Sequence, residues 1–131
     1  MSDREACLIR PETQKHKVLD GGAHAWRMTS QEDHGWNVDA WLTVFRPGET
    51  HDWHDHEEDE LIYIIEGEGR YELEDKSIEF RGGDCIFLPK KTMHRSMTGG
   101  EKDVRLLAIF HPARDYQGAP CRSRSFYLWL T

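Results

Sequence analysis

Two histidines separated by one residue, His54 and His56, are followed by Glu60 and, much later, by His94. On an extended strand, residues i and i+2 project from the same face, so His54 and His56 present their imidazoles together. Glu57, Glu58 and Asp59 are polar enough to turn the chain, after which Glu60 opens the apolar run Leu61–Ile65 and can return beside the pair. Downstream, Gly83-Asp-Cys-Ile-Phe-Leu-Pro89-Lys-Lys-Thr-Met-His94 contains a turn at 89–93 that would bring a further imidazole over the same point. Imidazole nitrogens converging with one carboxylate suit a divalent first-row metal, not calcium, which favours oxygen ligands throughout. On a six-coordinate ion such a set leaves about two positions for substrate oxygens, water or O₂, which permits O₂ activation at Fe(II) or Lewis-acid polarisation of a carbonyl or enediol. His51, three residues before His54, has the opposite strand parity and is expected to be exposed and not a ligand. The acidic residues Asp52, Asp55, Glu57, Glu58 and Asp59 read as a solvated loop that draws cations to the site.

The elements that must hold these residues are short β-type runs broken by turn signals. Ala40–Arg46 stops at Pro47-Gly48, and Leu61–Glu66 stops at Gly67-Glu-Gly69. Arg70–Glu74 and Ser77–Arg81 flank a hairpin turn at Asp75-Lys76. Cys85–Leu88 lies between Gly82-Gly83-Asp84 and Pro89, Val104–His111 follows Gly99-Gly100, and Ser125–Leu130 closes the chain. Strands at this spacing predict an all-β sandwich or barrel. No long segment keeps a 3.6-residue apolar period, so helices are expected to be few and short. Alternation puts Trp41, Thr43 and Phe45 on one face of their strand, and Ile62 and Ile64 on the face of Glu60. Leu61, Tyr63 and Ile65 face a second layer. Trp26, Met28, Trp36, Trp53 and Met93 are candidates for apolar wall, and Arg105, Arg95 and Lys91 for fixing a carboxylate.

Gly48 to Gly67 resembles the first motif of the cupin superfamily, G(X)5HXH(X)3E(X)6G, at every defined position. Gly83 to Thr98 resembles the second, G(X)5PXG(X)2H(X)3N, with Lys91 in place of the usual Gly and Thr98 in place of Asn. Fifteen residues separate the motifs, as in compact single-domain cupins. The resemblance implies a double-stranded β-helix, or jelly-roll barrel, with one divalent transition metal on His54, His56, Glu60 and His94. Fe(II) or Mn(II) is favoured, ahead of Ni(II), Co(II), Zn(II) or Cu(II). Cupins with similar ligands include dioxygenases, decarboxylases, sugar isomerases, lyases and cyclases, so the fold does not select the reaction. The favoured reading is a dioxygenase acting on a small organic acid, enol or aromatic. The alternatives are a metal-dependent isomerase, lyase or cyclase, and a non-catalytic metal- or ligand-binding module. No general base is identifiable beyond the metal shell; Tyr63, Tyr71 and the free carboxylates are all possible and none is compelling.

Composition narrows the partners. Hydrophobic residues make up 37% of the chain, below the usual range of about 45–50%, and five Trp, five Phe and four Tyr partly compensate. The net charge of −7 disfavours nucleic acid, whose backbone needs a basic face. No apolar run approaches a membrane span, and the polar start lacks a signal-peptide core. Cys7, Cys85 and Cys121 form no paired framework, so a reducing cytoplasm is expected, with Cys85 packed in the core. Residues 1–20 are expected to be a flexible arm and residues 21–131 a single barrel domain. The apolar run at 125–130 predicts pairing with a second copy into a homodimer.

Overall fold

The computed structural model describes residues 4–114. Among them are strands β1 (His16–Val18), β2 (His24–Thr29), β3 (Asp39–Phe45), β4 (Thr50–His54), β5 (Asp59–Glu66), β6 (Glu68–Leu73), β7 (Ser77–Arg81), β8 (Cys85–Leu88), β9 (His94–Thr98) and β10 (Val104–His111). Among the described residues helical structure is confined to a 3-10 turn at Pro11–Thr13 and the single turn α1 (Gln31–His34). Ser30 caps α1 by accepting from the Asp33 N–H, and Gly35, in the left-handed region, ends it. No helix among the described residues is long and apolar enough to cross a membrane.

The strands form two antiparallel sheets, one of six strands in the order β1-β2-β3-β10-β5-β8 and one of four in the order β4-β9-β6-β7. Alternation decides which side chains lie between them. From the large sheet, Trp41 and Phe45 of β3, Ile62 and Ile64 of β5, Ile86 and Leu88 of β8 and every second residue of β10 point inward. From the small sheet, Tyr71 and Phe80 meet them, with ring centroids 5.7 Å apart. The apolar layer is thus the inner face of a two-sheet jelly roll, and the 0% exposure of Ile62 and Ile64 places the strand that carries Glu60 at its centre.

Several expectations are revised by the tertiary structure. Within the segment read as an arm, β1 pairs with β2, and Leu19 is buried in the core with its N–H donating to the Ala23 carbonyl. Cys85 is exposed, because Ile86 and Leu88 take the inward parity of β8. Trp36 and Trp53 are exposed and Trp26 stacks beside His24, so none of the three walls the interior. Leu61, Tyr63, Ile65 and Phe87 form an exposed apolar row on the outer face of the large sheet. Cys121 and the run 125–130, on which the homodimer expectation rests, lie outside the described residues.

Gly67 joins β5 to β6 with φ +94°, and a Cβ there would stand 2.5 Å from the Asp103 carbonyl oxygen and 2.8 Å from the Val104 Cα. Both the backbone conformation and the space exclude an ordinary side chain. A left-handed conformation alone costs a residue with a Cβ about 1–2 kcal/mol, and the backbone clash adds to it. Gly67→Ala should therefore lower unfolding free energy by at least about 2 kcal/mol in urea denaturation. Gly83 has the same φ with nothing within 4 Å of the point a Cβ would occupy, so Gly83→Ala should cost clearly less.

Candidate metal centre

The four residues singled out by their spacing arrive from three strands and one loop. His54 ends β4, His56 lies in the loop after it, Glu60 is the second residue of β5 and His94 opens β9. His54 and His94 are direct cross-strand partners. All four are buried, at 2–5% exposure. His54, His56 and His94 can each offer one ring nitrogen so that the three atoms lie within 4.8 Å of one another. Glu60 Oε1 is 2.9 Å from His56 Nε2 and 3.6 Å from His94 Nε2.

Each of the three imidazoles is oriented by a backbone carbonyl. Nδ1 of His54 lies 2.6 Å from the Asp52 oxygen, Nδ1 of His94 lies 2.7 Å from the Thr92 oxygen, and Nδ1 of His56 lies 3.0 Å from the Glu58 oxygen. A carbonyl can only accept, so Nδ1 carries a proton, and in the neutral ring Nε2 keeps its lone pair. This is the tautomer and the outer support a nitrogen ligand to a metal requires. At His56 the consequence is sharp. A neutral ring that donates from Nδ1 sets its Nε2 lone pair 2.9 Å from a carboxylate oxygen, and two acceptors at that distance need a shared proton or a metal cation between them. A divalent ion fits the donor set of three Nε2 atoms and one carboxylate.

Burial and charge both prepare the site. Burial holds the His54 ring well below its ordinary pKa, and the neighbouring His51 and His94 push it further down. Burial likewise lowers His94, against the opposing pull of Glu60. For Glu60 burial alone would raise the pKa, but the contact with His56, as a proton shared across it and as charge, with the further influence of His94 and Arg114, outweighs burial and leaves the carboxyl below its ordinary value. The His54 and His94 rings are therefore biased toward neutral and the Glu60 acid toward ionised, the protonation states of metal ligands.

His51 departs from expectation. In β4, Thr50 pairs with Met97 and His51 with Ser96, but His54 pairs with His94. Three steps along β4 match two along β9, so a β-bulge inserts one extra residue and reverses the parity beyond it. His51 consequently lies on the same side as His54, partly buried, with ring centroids 3.9 Å apart. Burial, with the His94 charge next, lowers its pKa to about 3.

The second motif's departures also have local answers. Lys91 adopts φ +64° and donates its N–H to the His56 carbonyl at 2.7 Å, so the turn keeps the glycine conformation and ties itself to the His56 loop. Thr98 Oγ1 accepts from the Gly48 N–H, joining the ends of the two motifs.

The cluster opens on a small interior cavity whose polar lining is His51, His54, Glu60, Thr43, Tyr71, Ser96 and Arg114, the rest of the wall being apolar and including Trp41, Phe45, Leu106, Ala108 and Phe110. Its free volume is about 30 Å³, against roughly 10–15 Å³ for one water on the same measure. Burial keeps Tyr71 protonated far into alkaline pH, with Glu60 reinforcing it, and the phenol is hydrogen-bonded to Ser96. The cations proposed from sequence are elsewhere. Arg95 pairs with Glu72 and lies over Trp53, Arg105 is 3.7 Å from Glu66, and Lys91 is 3.8 Å from Glu57 at the surface. The cation at the cavity is Arg114, which lies outside both motifs and past the last strand among the described residues.

Comparison with known proteins agrees with this architecture. The cupin domain family model matches residues 41–110, more than half of the chain. The acireductone dioxygenase of Leishmania infantum is 37% identical over 65 residues, 46% of this chain and 19% of that protein, so the chain spans about a fifth of that relative's length. A predicted oxalate decarboxylase from Thermotoga maritima superposes with a TM-score of 0.72 at 21% identity, covering 81% of this chain and 99% of the other. The polyketide cyclase RemF from Streptomyces resistomycificus superposes with a TM-score of 0.71 at 20% identity, covering 94% and 91%. At these identities the two structures speak for the fold and not for a reaction.

Two outcomes follow from the site's backbone and charge. Lys91→Gly should raise stability by about 1 kcal/mol, because glycine carries no left-handed penalty and the exposed pair with Glu57 contributes little; chemical denaturation reads this directly. Chelator-treated protein should lose stability as pH falls below 6.5, where the unfolded chain protonates histidines that the folded state holds neutral, down toward the His51 value near 3. Glu60, ionised in the fold below its ordinary value of 4.5, adds to the same loss in the acid range. Melting curves between about pH 8 and 4 should show this, with a shallower dependence in His51→Gln.

Proposed function

Because this chain belongs to the cupin family, we propose that it is a metal-dependent enzyme whose ion sits on His54, His56, Glu60 and His94, and that it oxygenates a small enol, organic acid or aromatic. The observation that carries the reading is the convergence of three Nε2 lone pairs and the Glu60 carboxylate in a buried, carbonyl-braced cluster. Fe(II) or Mn(II) bound there would supply O₂ activation or Lewis-acid polarisation of an enediol or carbonyl.

The chain's own groups define the surroundings. Trp41, Phe45, Leu106, Ala108 and Phe110 keep bulk water from the ligand side, which strengthens every charge interaction within. Tyr71 stays protonated and so acts as a hydrogen-bond donor, not a base. The Phe110 ring packs nearly perpendicular to His56 with centroids 5.0 Å apart and limits that ring's rotation. The small volume favours a compact substrate. The likeness to acireductone dioxygenase over nearly half of this chain supports oxygenation over isomerisation, cyclisation or simple binding.

Elemental analysis of the purified chain should find close to one divalent metal per molecule. His54→Ala, His56→Ala and His94→Ala should each lower metal affinity by more than about tenfold, since even losing an outer support costs roughly that much; His24→Ala, on the outer face, should retain it. With Fe(II) restored, oxygen uptake should appear with a member of a panel of enediols, diketones and catechols. Full conversion of a panel member without oxygen uptake would replace the oxygenase with an isomerase or lyase. Metal retained in all three histidine variants would overturn the site itself.

A further inference from the structure

We propose that Arg114 is an anion-binding subsite in the wall of the metal-side cavity, so that the substrate carries a carboxylate or enolate oxygen. The inference rests on the preceding reading that this cavity receives substrate, and it adds the substrate's charge and the residue that recognises it.

Among the described residues lining the cavity, Arg114 is the one with a permanent positive charge. It is itself buried, at 6% exposure, and it is held from two directions. Its Nε lies 3.3 Å from Oδ2 of Asp39, a carboxylate with no exposure at all, whose Oδ1 accepts from Arg27 Nε at 3.0 Å. Its guanidinium carbon stands 3.9 Å over the Phe110 ring centroid and 5.7 Å from that of Trp41, both of which also line the cavity. Packing and the buried carboxylate thus fix the plane of the guanidinium before any ligand arrives. Arg27 shares Asp39 but does not line the cavity, so it serves to position the carboxylate that positions Arg114.

A guanidinium carries its N–H donors in one plane, and their fork matches the two oxygens of a carboxylate. Arg114 lines the cavity together with His54 and Glu60, two of the residues that would hold the metal. With a metal on one side and Arg114 on the other, a compact anion is gripped at two points, which sets its orientation as well as its affinity. Apolar walls between the two make each charged contact worth more than it is in water.

The test is binding, so it stands apart from whether the chain consumes oxygen. Acetate and its uncharged isostere acetamide are titrated by NMR into the full-length protein loaded with Zn(II), with metal content measured in every sample. Acetate should bind at least about tenfold more tightly than acetamide, and Arg114→Gln should remove about tenfold of the acetate affinity, the scale of a charge-assisted pair. Acetamide binding and metal content should be unchanged. Arg114→Lys, which keeps the charge without the fork, should fall between and serves if the glutamine variant does not fold. Arg105→Gln, on the outer face, should match the wild type. Acetate affinity unaltered in Arg114→Gln, or equal affinity for acetate and acetamide in the wild type, would sink the subsite; loss of metal in Arg114→Gln would make the residue structural instead.

Discussion

The contact between the His56 ring and the Glu60 carboxylate cannot be relaxed by water. Both groups are buried, and the Glu58 carbonyl commits the Nδ1 proton of His56, so in the neutral ring a lone pair faces an anion at hydrogen-bond distance. The interaction is favourable with a cation at that point or with a proton shared across it. Much of the surrounding structure reads as the scaffold that maintains this confrontation. The β4–β9 pairing brings His54 opposite His94, the 89–93 turn reaches the His56 carbonyl through Lys91, and the centre of the core lies along the strand that carries Glu60.

That constraint also explains why the chain accepts local costs. Lys91 holds a left-handed conformation that favours glycine, yet its N–H fastens the loop on which His56 sits. The bulge in β4 breaks the regular ladder between His51 and His54 and turns a second histidine ring toward the cavity. Both irregularities lie beside the ligand cluster, where a deviation from ideal geometry re-aims a side chain. The β3–β10 and β5–β8 pairings run without a shift, whereas β10 shifts against β5 at Arg105/Leu106 and β2 against β3 between Arg27 and Thr29.

Charge is distributed to the same end. The chain is acidic overall, and the carboxylates around residues 52–59 favour cations near the cluster, yet a buried Arg114 faces the interior. An acidic exterior and a cationic inner wall do not conflict, because the potential within a small apolar cavity is set by its nearest charges and not by the net charge of the surface.

Residue type and spacing alone picked out the four residues that the fold brings together, His54, His56, Glu60 and His94, along with the all-β class and the inward alternation of β3 and β5. These depend on relations that are local along the chain: the two-residue period of a strand, and glycines and prolines that mark turns. Three features were decided only in three dimensions. His51 was misplaced because a bulge is an offset between two strands, and parity counted along one strand cannot register it. Cys85 was misplaced because an apolar strand has two faces, and the partner packed against it decides which face is the core. Arg114 was missed because nothing near it in sequence marks it. Its role follows from the burial of Asp39, seventy-five residues earlier, and from the ring of Phe110, which fix a surface-type residue within the interior.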